Sequence, residues 1–180
     1  MPTNGPEIMM NWRMLGLHIS NYYSPTIGWG VIVIGSILTV CAALIISIKP
    51  TDSDFTKTVV GLIGIFAATG AVTWHAHFSM STILIPPMIY LYVKKRFPEK
   101  LLMLWVFMPT SIMLVIYILA AFIQANILPT QVSGFLDLFA GLRGLILNLI
   151  ILAWAVIEYP KILTSKKISQ TIDNPIPISY

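Results

Sequence analysis

The 180-residue sequence predicts an all-α fold: an integral membrane bundle of about five transmembrane helices with an N-terminal interfacial amphipathic helix. Three observations carry this fold class. Hydrophobic residues make up 57% of the chain and charged residues only 10%, where soluble domains carry about 25% charge. Mean hydropathy is +0.83, more apolar than a chain could hide from water. Uncharged apolar runs of membrane-crossing length recur, separated by short polar stretches that hold the basic residues. The net charge of +4 therefore reflects membrane topology and is no nucleic-acid signal.

Residues 1–27 form the segment before the first long apolar run. The first basic residue is Arg13, too far from a short apolar core for a cleavable signal peptide, so the segment is expected to stay on the mature protein. Ile8, Trp12, Leu15 and Ile19 recur at helical spacing, with Asn11 and Arg13 away from them. That pattern predicts a helix lying on the membrane surface, with Trp12, Tyr22, Tyr23 and Trp29 at headgroup level.

Residues 28–157 form the transmembrane domain. About 20 apolar residues span the hydrocarbon core at 1.5 Å per residue. Segment one, 28–48, carries no charge, and the loop KPTDSDFTK follows. The uncharged stretch 58–93 is too long for one span and just long enough for two. It divides at TWHAHFSMST (73–82) into helices at about 58–76 and 79–93. A fourth span covers about 101–124 and a fifth about 138–157. Residues 158–180 read as a polar C-terminal tail. With five spans Lys49, Lys57, Lys94, Lys95, Arg96, Lys100, Lys161, Lys166 and Lys167 share one side, and only Arg13 and Arg143 the other. The positive-inside rule then places the N-terminus outside and the C-terminus in the cytoplasm of a multi-pass cell-membrane protein. Pro86–Pro87 in the third span and Pro109 in the fourth are expected to kink or interrupt them.

In lipid, helices associate through close contacts of small residues. Gly61, Gly64, Ala68 and Ala71 make one such stripe, which continues to His75; Gly35, Thr39 and Ala42 make another. Asn148 is the most polar residue deep in the last span and is expected to make an interhelical hydrogen bond. Arg143, about five residues into that span, is expected to reach the outer edge. There it can pair with Asp137 as a helix-start anchor.

His18, His75, His77 and Met80, with Met9, Met10 or Met14, gather imidazole and thioether groups on the predicted outer face. That ligand set would suit copper. On a regular helix His75 and His77 point about 200° apart, so a shared ion requires an extended turn, and no carboxylate stands nearby to orient the imidazoles. The plainer account makes them interface residues bonding headgroups, water or a partner. The single cysteine, Cys41, excludes an internal disulfide and a multi-cysteine metal cluster. No ionisable residue sits in mid-membrane, as ion transport generally needs. No nucleophile motif, paired carboxylates, phosphate loop or internal repeat is present. KKRFPEK (94–100) reads as a topology anchor touching anionic lipid.

These features predict a non-catalytic accessory subunit of a larger membrane complex, with other integral membrane subunits and the lipid bilayer as partners. The His/Met group suggests a redox setting, such as a terminal oxidase or a copper-dependent membrane monooxygenase. The alternative is a small channel or carrier for an uncharged molecule, built around the proline-bearing helices. A third, weaker reading is an outer-face copper-binding membrane protein.

Overall fold

The computed structural model describes residues 11–48, 55–73, 82–129 and 132–173. They form six helices: α1 (Trp12–Tyr22), α2 (Pro25–Ile48), α3 (Phe55–Val72), α4 (Ile85–Val93), α5 (Glu99–Gln124) and α6 (Val132–Asp173). No strand occurs among the described residues. Three stretches are long and apolar enough to cross a membrane: Pro25–Ser47, Phe55–Val72 and Gly141–Pro160.

The α1–α2 pair is a tight antiparallel hairpin. A Cβ added at Gly28 would strike Ser20 and the Gly16 carbonyl, and one at Gly16 would strike Ile32. A Cβ on Gly35 would meet the Trp12 indole. Small residues here set the spacing of two backbones, as expected for helices associating in lipid. α1 runs alongside the first half of α2 and packs on it, where the sequence predicts a helix on the membrane surface. Its buried face is also different. Met14, Gly16 and His18 are buried, with Asn11 only 1% exposed, whereas Trp12, Leu15 and Ile19 are half-exposed. Ile8 lies outside the described residues. The polar groups turned inward because they have partners there, which an apolar-face count does not register.

α3 packs antiparallel to both α2 and α6. Gly61 faces Ile46 and Tyr159; Gly64 faces Ile46 at 2.6 Å and Ala155 at 2.9 Å, measured from an added Cβ. The predicted stripe Gly61, Gly64, Ala68, Ala71 is buried along its whole length. Around it the core gathers Val60, Ile63, Ala67, Met88, Leu91, Leu147 and Ile151. At the start of α3 Lys57 is 1% exposed, with its Nζ 4.9 Å from the Tyr159 ring centroid. The favourable face of the ring holds the ammonium while the stem packs in the core.

α4 is a nine-residue helix, about 14 Å long, preceded by a 3₁₀ turn at 82–84. The prolines expected to kink a span from 79 instead occupy the first turn of α4. There the missing N–H would be unpaired in any case. Phe55 and Tyr90 meet edge to face at 5.4 Å, which sets the end of α4 beside the start of α3. α4 and α5 both end in the same capping motif. After α4, Lys95 N–H donates to Tyr92 O at 2.8 Å and Arg96 N–H to Leu91 O at 2.8 Å. After α5, Asn126 N–H donates to Ile123 O at 3.0 Å and Ile127 N–H to Phe122 O at 2.9 Å. Each places its pivot in the left-handed region, with φ 56° at Lys95 and at Asn126. Asparagine takes that conformation readily; lysine does so at a cost of roughly 1–2 kcal/mol. α6 continues through Pro160 to Asp173, past the boundary at 158 where a polar tail was expected.

Candidate functional site

The site is best built from the ends of α3 and α1. Both helices run antiparallel to α2, so they point the same way, and α1 stacks on the end of α3. Every helix end leaves backbone groups without intrahelical partners. Here one side chain serves both ends. Asn11 is the N-cap of α1, in extended conformation with φ −140° and ψ 169°. Its Oδ1 accepts from the Met14 N–H at 2.9 Å, and its Nδ2 donates to the Thr73 carbonyl just beyond α3 at 2.8 Å. Beside it the Trp12 Nε1–H donates to Thr39 Oγ1 at 2.8 Å, and the Thr39 hydroxyl donates to the Gly35 carbonyl at 2.8 Å. The result is a buried polar joint among α1, α2 and α3.

α6 closes the joint from the side. Asn148 is 1% exposed and lies over Gly70, where an added Cβ would stand 2.8 Å from its Nδ2. That Nδ2 has no hydrogen-bond partner among the described residues. Arg143 lies five residues earlier, about 7.5 Å further along α6, a helix on which α1 also packs. Arg143 is only 5% exposed and stands two residues after the start of the membrane-length stretch Gly141–Pro160. The Asp137 side chain lies outside those described. His18 is 5% exposed and stacks on Tyr22 at 6.2 Å with 4° between the rings.

His75, His77 and Met80 lie outside the described residues, as do Met9 and Met10; Met14 is buried in α1. Among the described residues no group of three or more His, Cys, Asp or Glu side chains could hold a metal ion. The joint itself offers amides, hydroxyls and an indole that largely satisfy one another. Its chemistry is that of holding helices together, and it presents no acid–base pair.

A cleft of about 290 Å³ lies between α2 and α3, lined by Val40, Ala43, Leu44, Ser47, Ala68 and Thr69 among others. Its hydroxyls bond their own helix. Ser47 donates to the Ala43 carbonyl at 2.9 Å and Thr69 to the Ile65 carbonyl at 2.8 Å. The walls therefore present methyl and methylene groups, with no polar group directed at a ligand.

Sequence reasoning singled out Asn148 and the α3 stripe but not Asn11, Trp12 or Thr39 as one unit. The signal for Asn11 was present, since asparagine before an apolar-periodic run marks an N-cap. Its second partner, Thr73, is 62 residues away and leaves no local trace. No protein-family model, curated protein or solved structure matches this chain.

Proposed function

We propose that the chain is a non-catalytic accessory subunit of a larger membrane complex. The observation that carries this reading is the unequal cover on its helices. Half of the membrane-length window is buried in α3 and in α6, but only 17% in α2. α2 presents Val33, Ile34, Ile37, Leu38, Leu44 and Ile45 outward while its other side holds α1 and α3. Large exposed apolar faces fit lipid or another helix, and the apolar cleft flanked by Ala43 and Ser47 suits the close approach of a second backbone. The polar groups of the joint are spent on the chain's own helix ends, which suits a scaffold better than a catalyst.

In this reading the chain is multi-pass in the cell membrane, with about five spans, α4 lying within one half of the bilayer. The N-terminus is outside and the C-terminus in the cytoplasm, an orientation supported by the distribution of basic residues. The parent complex is a membrane redox enzyme such as a terminal oxidase or a copper-dependent monooxygenase. That step rests on His18, His75, His77 and Met80 sharing the outer side, where the subunit would seal or scaffold a neighbour's metal centre. A channel or carrier requires a continuous polar-lined path; the α2–α3 cleft is lined mainly by apolar groups.

Gentle solubilisation, native-gel migration and mass spectrometry of co-migrating chains test the proposal. Migration in a large assembly with redox subunits is the expected result. Migration alone, or as a small homo-oligomer, would overturn it.

A further inference from the structure

The turn joining α4 to α5 combines three features that no packing need explains together. Lys94, Lys95 and Arg96 are consecutive and all exposed, and Lys100 follows as the second residue of α5, also exposed. Glu99 is the one acid among them, so four cations face one carboxylate. The backbone beneath them is fixed. The capping bonds to Leu91 and Tyr92 close α4, and Phe97 is 4% exposed, packed edge to face on Trp154 at 4.6 Å. At the pivot of this fixed turn stands a lysine at φ 56°, where the equivalent turn after α5 has an asparagine and where glycine would be unstrained. A backbone outlier held by a well-bonded surround is a pointer to function.

The surroundings indicate what the cations meet. α4 runs apolar into this turn, and Tyr92 and Val93 are exposed next to Lys94, so the cations stand where an apolar surface ends. The capping bonds take up the Tyr90, Leu91 and Tyr92 carbonyls at the end of α4, which leaves fewer open acceptors facing an anion. The 26-residue α5 starts here with no side chain capping its first turn; its positive end favours a phosphate, which Glu99 offsets in part.

We propose that residues 94–100 form a preorganised binding site for the phosphate headgroup of an anionic phospholipid in the adjacent leaflet. Lys94, Lys95 and Arg96 supply three successive exposed cations to one headgroup from a turn whose backbone is fixed, with the Lys94 ammonium 6.0 Å from the Tyr90 ring centroid. The proposal rests on the chain lying in a membrane and not on its being a subunit.

The test uses the purified full-length chain in mild detergent, with phosphatidylglycerol and phosphatidylcholine as probes and native mass spectrometry to count retained lipid. The wild type is expected to retain phosphatidylglycerol preferentially. K95G removes one cation and relaxes the backbone. It should fold, show a higher thermal midpoint without lipid, and lose about five-fold of the preference, as one near-surface cation predicts. The triple variant K94Q/K95Q/R96Q should lose the preference altogether while keeping its helical circular dichroism. Equal retention of both lipids by the wild type, or an undiminished preference in K95G, would overturn the proposal. So would an acidic protein that co-purifies with the wild type, is lost in the triple variant, and leaves lipid retention unchanged.

Discussion

Asn148 carries the clearest imbalance at the scale of single residues. A buried donor without a partner costs about 1–3 kcal/mol, and its Nδ2 has none among the described residues. Asn148→Leu is therefore expected to leave the unfolding midpoint in detergent unchanged or raised. A large drop would show that the amide has a partner. The opposite wall behaves differently. Gly70→Val would put side-chain atoms where Asn148 Nδ2 already stands and should destabilise by about 1–3 kcal/mol. In the double variant Gly70→Val with Asn148→Ala, most of that loss should return, because the clashing atoms are gone. Asn11→Ala removes a cap worth about 1 kcal/mol and a hydrogen bond of about the same size. Hydrogen exchange should consequently quicken in the first turn of α1 while α6 stays protected.

Among the elements, the α1–α2 hairpin is the one whose packing depends on the smallest residues. Gly35→Leu should displace the Trp12 ring and break its bond to Thr39, with exchange rising along the whole of residues 12–22 as α1 detaches. A hairpin held only by its short turn would not respond. The helices themselves were largely readable in the residues. Long apolar runs located α2, α3, α5 and the middle of α6, because hydrocarbon thickness sets a length that hydropathy can measure. The α3 stripe was readable because small residues at helical spacing have few other uses. What failed depended on partners. The inward face of α1 was misjudged because Asn11 and His18 are polar, and polar residues are assigned outward until a buried partner is known. Pro86–Pro87 were read as a kink because a proline breaks a helix or begins one, and the local pattern does not say which. Nothing in the sequence showed that one asparagine would cap two helices.

For the molecule as a whole, the question is which side faces which compartment and what covers α2. Cys41 is exposed, so labelling requires a Cys41→Ser background. In it, cysteine at position 79 should react with an impermeant thiol reagent from outside, and cysteine at position 95 only after the membrane is opened. The reverse pattern would invert the proposed orientation. The stacked pair of α3 and α1 also has a consequence for how the protein is made. The Asn11 amide emerges from the ribosome 62 residues before its acceptor at Thr73, which is roughly 3–12 s of synthesis. During that interval α1 can lie against α2, but its lower end has nothing to close on. This part of the bundle is thus fastened retroactively, when the third helix arrives beneath the first. A chain stalled between the two events would present an unfinished end to the insertion machinery, and quality control could distinguish it from the finished protein by that end alone.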